Sequence, residues 1–158
     1  MRRMSLLSIL LGLCSPIPLI ILSLGIIFSF SIHPGSFVWI ALVSYGALML
    51  AFPGGIHWGL GMQQSIILPA RAMNSFENWR LFLSILPGIL GWIALMLTAN
   101  QHALASIFLL MFSFIMVLFF ERKAQRLGET PSGYLALRWV ITLEVEFFLS
   151  LIVIRLIL

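Results

Sequence analysis

Charged residues are missing from two long parts of this sequence. No Asp, Glu, Lys or Arg occurs from Met4 to Ala70, and none occurs from Leu81 to Phe120. A helix needs about 20 apolar residues to cross the hydrocarbon core of a bilayer, so each part has room for two spans. A last apolar run from Trp139 to Leu158 supplies one more. The pattern predicts a polytopic membrane protein with five transmembrane helices.

The composition agrees with this prediction. The chain is 61% hydrophobic and 9% charged, whereas soluble domains are about 25% charged. We therefore expect an all-α bundle that forms one membrane domain over residues 1–158, with the lipid bilayer as its main partner. Pro16 and Pro18 are expected to kink the first helix or to make its first third irregular. The five helices are expected at about 4–31, 37–62, 80–98, 103–120 and 135–158.

The positions of Lys and Arg predict the orientation. They occur at the amino terminus and in the loops Gln63–Trp79 and Glu121–Ser132, while the short turns at His33 and at Asn100–His102 carry none. Because cytoplasmic loops are enriched in Lys and Arg, the amino terminus and both long loops are expected to be cytoplasmic and the carboxyl terminus outside. The net charge of +4 then reflects topology rather than nucleic-acid binding. Trp39 is expected in the outer aromatic belt.

The second helix has two faces of small residues between Tyr45 and Gly59. One is a ridge with four-residue spacing, which is the spacing of residues that stack on one side of a helix. On the opposite side Gly46, Gly54, His57 and Gly61 share a narrow face. Both faces predict close helix packing near the middle of the bundle. The ridge consists of Ala47, Ala51, Gly55 and Gly59.

Polar residues within the helices are the candidate functional residues. On the fifth helix they recur every four residues and predict an inward-facing stripe, made of Arg138, Thr142, Glu146 and Ser150. His57 lies at a similar depth in the inner leaflet. In one interpretation these residues are polar contacts that hold helices together. In the alternative, His57 with Arg138 and Glu146 forms a small carrier or proton-coupled transport site.

No catalytic, metal or cofactor motif is readable. Cys14 is the single cysteine, and the chain has no paired-histidine helix, no Gly-rich phosphate loop and no nucleophilic triad. We therefore expect no catalytic residue, metal or cofactor. The protein is expected to be non-enzymatic and to act in assembly, stabilisation or membrane organisation through helix packing. Its partner would be a second copy or another membrane protein.

Several of these residues also form a family signature. The sequence resembles the transmembrane protein 69-like family, which comprises small multi-pass membrane proteins of unknown function, bacterial with mitochondrial relatives. The resemblance implies a multi-pass protein of the bacterial inner membrane with no assigned reaction. Pro53 departs from the family pattern, which has a larger apolar residue there. The matching segments are Tyr45-Gly46-Ala47, Phe52, Gly54 to Gly59 (GGIHWG), Leu86-Pro87, Gly91-Trp92, Gly128, Pro131, Tyr134 and Leu137-Arg138 with Thr142, and Glu121-Arg122 fits the acid followed by Arg that the family tends to have.

Overall fold

The computed structural model describes residues 5–28, 33, 35–67, 75–126 and 133–158, with the backbone alone for 60–67 and 75–83. All regular structure in these ranges is helical, so the all-α prediction is confirmed for the described part of the chain. The helices are α1 (Leu6–Cys14), α2 (Ile17–Phe28), α3 (Phe37–Ile67), α4 (Ser75–Ala99), α5 (Ala103–Arg126) and α6 (Tyr134–Ile157).

The first predicted helix is interrupted between α1 and α2, at the position where Pro16 and Pro18 predicted a kink or an irregular first third. Pro16 and Pro18 have no backbone N–H to donate to the preceding turn. The carbonyl of Gly12 instead accepts the N–H of Ser15 at 3.1 Å and its hydroxyl at 2.7 Å. The carbonyl of Ser15 accepts the hydroxyl of Tyr45 on α3 at 2.8 Å, which ties the break to the bundle.

Three of the other helices extend beyond their predicted bounds, whereas α6 matches its predicted range to within one residue. The predicted helix over 37–62 continues to Ile67, the one over 80–98 begins at Ser75, and the one over 103–120 continues to Arg126. Hydropathy marks only the part of a helix that fits in lipid. Polar and charged residues can continue the same helix into the interfacial region, so the apolar run underestimates its length.

Helices α2 to α6 pack side by side in a closed ring. α2 contacts α3 and α6, α4 contacts α3 and α5, and α5 also contacts α6; α1 packs against α6. The largest contact is between α3 and α4. The centre of the ring is a core of buried apolar side chains that includes Leu19, Trp39, Leu42, Leu50, Leu110, Phe114, Val145 and Leu149.

Large apolar side chains also cover the outside of the bundle. On α5 and α6 alone they include Phe108, Phe112, Phe119, Leu143, Phe147 and Ile154. A soluble monomer rarely exposes apolar patches of this extent. Among the described residues, three helical stretches are long and apolar enough to cross a membrane, namely Leu6–Phe28, Phe37–Gly59 and Ala103–Arg126. These features indicate a membrane protein.

Trp39 lies in the core rather than in an aromatic belt, so that expectation is wrong. Its side chain is 0% exposed, and its indole N–H has no hydrogen-bond acceptor in the described part of the chain. Trp39 lies near the start of α3 and belongs to the buried apolar core. Trp58, Trp92 and Trp139 are exposed.

The close packing of α3 is on the Gly54 side of the helix. A methyl group added at Gly54 would overlap the backbone carbonyl of Ser84 on α4, and one added at Gly91 would lie 2.9 Å from Ala47. At Gly55 and Gly59 an added methyl group would meet no described atom within 4 Å. Among the described residues, Ala47 of the ridge and Gly54 of the second face thus lie against α4, and the packing role of Gly55 and Gly59 stays a prediction.

Gly54→Ala and Gly55→Ala are a matched pair that tests this packing. We expect Gly54→Ala to lower the stability of the purified protein by about 1–3 kcal/mol, because the methyl group meets backbone that cannot easily move. Gly55→Ala should leave stability unchanged or raise it by about 0.5–1 kcal/mol. Thermal unfolding in detergent, followed by circular dichroism, measures both. Equal behaviour of the two variants would contradict the packing described here.

Candidate functional site

Glu121 occupies the buried face of α5. It follows Phe114 by seven residues, Val117 by four and Leu118 by three, and residues at these spacings share one side of a helix. All three are buried in the core side of the bundle, and Glu121 itself is 0% exposed. Because α5 continues as a helix past its apolar run, the helical period places the Glu121 carboxylate on the buried face.

Two side chains of α6 satisfy this carboxylate. The Nε of Arg138 donates to Oε2 of Glu121 at 2.7 Å, and the hydroxyl of Tyr134 donates to Oε1 at 2.8 Å. Each carboxylate oxygen thus has its own donor. Tyr134 and Arg138 are four residues apart on α6, so one face of the helix presents both donors. We call Glu121, Tyr134 and Arg138 the Glu121 clamp.

The clamp is a buried ion pair, and its energetics follow from that. Taking two charges out of water costs several kcal/mol per ion, and the mutual attraction offsets this only when the geometry is good. Here the Arg138 side chain is 9% exposed and the Glu121 side chain 0%. Removal of one partner would leave an uncompensated charge in a medium of low dielectric constant. The clamp therefore fixes how α5 and α6 lie against each other.

The structure brings Arg138 together with Glu121 rather than with Glu146 or His57. Thr142 is buried one turn beyond Arg138 on α6. Glu146 is partly buried, and its Oε1 has no hydrogen-bond partner among the described residues. Its backbone carbonyl accepts the hydroxyl of Ser150 at 2.6 Å. His57 is partly buried on α3 and does not belong to the clamp.

Sequence reasoning placed Glu121 in the charged loop after the fourth predicted helix and did not name it as a site residue. The available signal was the spacing of Glu121 from Phe114 and Leu118, which are core residues of the same helix. That spacing becomes informative only when α5 is known to continue beyond residue 120.

A second buried polar contact joins α4 to α5 and was also missed. The hydroxyls of Thr98 and Ser106 lie 2.7 Å apart, and Ser106 donates to the carbonyl of Ala94 at 2.8 Å. Both hydroxyl-bearing residues are 0% exposed. Interhelical hydrogen bonds of this kind typically stabilise helix packing in lipid. This contact joins α4 and α5 at the end of the bundle opposite the clamp.

A cavity of about 550 Å³ lies between α1, α3 and α6. Arg138 and Tyr134 line it together with apolar residues of α1 and α3, and His57 is not among the lining residues. In the described part of the chain, no three His, Cys, Asp or Glu side chains are grouped as metal ligands would be. The cavity and the clamp therefore share Arg138 as their common charged residue.

The helical ring, the exposed apolar faces and the internally paired charges indicate a helical membrane protein. The profile of one family, described as "Protein of unknown function (DUF3429)", matches residues 4–154. The chain therefore belongs to this family. No curated protein and no solved structure matches the chain. The family description assigns no activity, and the clamp and the cavity are the features of the chain that bear on function.

A double-mutant cycle tests the clamp. We expect Glu121→Leu or Arg138→Leu alone to cost about 3–5 kcal/mol, since each leaves one buried charge unpaired. The double variant should be more stable than either single variant, because both charges are then gone. Thermal unfolding in detergent gives the three differences. Additive losses in the double variant would show that the two side chains do not interact as described.

Proposed function

We propose that the protein is a non-enzymatic, multi-pass membrane protein that acts by holding other membrane components in place. The Glu121 clamp is the observation that supports this role most directly. The charge of Arg138, which a carrier or enzyme site would need to offer to a substrate, is compensated by Glu121 at 2.7 Å. A charge used in this way stabilises helix packing rather than chemistry.

We further propose five membrane spans with a cytoplasmic amino terminus, in the bacterial inner membrane. The length of α6 supports the fifth span, because its 24 residues extend about 36 Å at 1.5 Å per residue, enough for a core of about 30 Å. The distribution of Lys and Arg supports the orientation. The resemblance to the transmembrane protein 69-like family supports the location.

Reporter fusions test this topology. Alkaline phosphatase is active only outside the cytoplasm, so we expect a fusion after Leu158 to be active and one after Arg126 to be inactive. A fusion in the turn at Gln101 should be active, because the turn between α4 and α5 would face the outside. An inactive fusion after Leu158 in a stably produced protein would contradict the proposed five spans.

The competing hypothesis is the carrier or proton-coupled site built from His57, Arg138 and Glu146. The two proposals differ in whether the charges themselves are needed. A structural role needs only a well-packed bundle, so an apolar pair can replace the clamp. A transport role needs Arg138 itself, so the same replacement would abolish function in a protein that still folds.

Complementation of a deletion strain distinguishes these roles. Quantitative proteomics of its membranes would first identify the proteins that decrease when the gene is deleted. We expect His57→Gln and the double variant Glu121→Leu, Arg138→Leu to restore those proteins to wild-type levels whenever the variant accumulates normally. Gly55→Ala is the matched control for substitution on α3. Failure of an abundant His57→Gln or double variant to complement would favour the carrier.

A further inference from the structure

The cavity between α1, α3 and α6 has the dimensions of one membrane leaflet. On α3 its lining residues run from Tyr45 to Ile56, which is about 16 Å along the helix axis. This distance is about half the 30 Å hydrocarbon core. On α6 the lining begins at Tyr134, the first residue of the helix. The cavity therefore starts at one membrane interface and ends near the middle of the bilayer.

The walls of the cavity are apolar and open sideways toward lipid. Leu11, Met49 and Ile141 line it from three different helices. Leu48 and Phe52 also line it, and they are 67% and 71% exposed. A molecule in the bilayer can therefore enter laterally without first leaving the membrane. An apolar chain is the part of a ligand that these walls would bind.

One end of the cavity is polar, because Tyr134 and Arg138 line it there. A guanidinium carries five N–H donors, and the Nε of Arg138 donates to Glu121. Arg138 also lines the cavity beside Tyr134, with its side chain 9% exposed. At the other end the hydroxyl of Tyr45 is already bonded to the carbonyl of Ser15 at 2.8 Å. The charged lining residue is thus at the interfacial end.

We propose that this cavity binds one phospholipid of the surrounding leaflet. One acyl chain lies along the apolar walls, and ester or phosphate oxygens of the same lipid accept hydrogen bonds from the terminal nitrogens of Arg138. The polarity of the cavity matches that of a phospholipid in the membrane, with oxygen acceptors at the interface and hydrocarbon toward the centre. Arg138 would then bridge the lipid and Glu121. This proposal does not depend on the non-enzymatic role proposed above.

Native mass spectrometry of the purified protein tests the proposal. The protein is exchanged into lipid-free detergent, dioleoylphosphatidylglycerol is added, and bound lipid is counted per chain. We expect one phospholipid on the wild type and about tenfold weaker binding to Ile56→Trp, which fills the interfacial end of the cavity. Ile115→Trp, on the exposed face of α5 away from the cavity, is the matched control and should bind as the wild type does.

Arg138→Lys tests the polar end separately. The lysine can still pair with Glu121 but offers no guanidinium fork to a ligand. We expect Arg138→Lys to bind lipid about tenfold more weakly than the wild type, because charge-assisted hydrogen bonds from the guanidinium to the lipid are lost. Leu48→Trp replaces Ile56→Trp if the latter misfolds. A wild type without phospholipid, unchanged binding in the cavity variants, or a quinone or other isoprenoid bound in its place would each overturn the proposal.

Discussion

The carboxylate of Glu121 places the strictest physical requirement on this bundle. It is 0% exposed, and a carboxylate in a medium of low dielectric constant needs a compensating charge and a donor for each oxygen. Arg138 and Tyr134 supply both from one face of α6. Since the two helices can meet this requirement in few relative positions, the ion pair sets the register between α5 and α6 where apolar contacts alone would allow sliding.

The same requirement shapes the neighbouring cavity. Arg138 is held by Glu121 on one side and lines the cavity on the other. One residue before it, Leu137 lies against Gly12 of α1, close enough that a methyl group at Gly12 would approach it to 2.6 Å. The broken first helix therefore rests on the turn of α6 that carries the clamp. Packing, charge compensation and the cavity wall are consequences of one local arrangement.

The class of fold could be predicted from sequence because lipid imposes it. Long stretches without charge leave helices as the simplest way to satisfy every backbone hydrogen bond. The faces of those helices were harder to predict, since hydropathy shows little contrast when core and lipid are equally apolar. Small-residue spacing suggested contacts on both faces of α3, and among the described residues Gly54 lies against Ser84, while a methyl group added at Gly55 or Gly59 would meet no described atom within 4 Å. Trp39 illustrates the same ambiguity, because an indole suits an interface or a core.

The residues of the Glu121 clamp show a second limit of prediction from sequence. Arg138 was recognisable because a charge inside an apolar helix stands out, whereas Glu121 lies beside Arg122 and Lys123 and looked like part of a loop. Its burial depends on the length of α5, which charged residues at the end of the helix conceal. A charge at the end of an apolar run thus has two meanings. It marks the interface when it is exposed, and it is a structural contact when the helical period aligns it with the core.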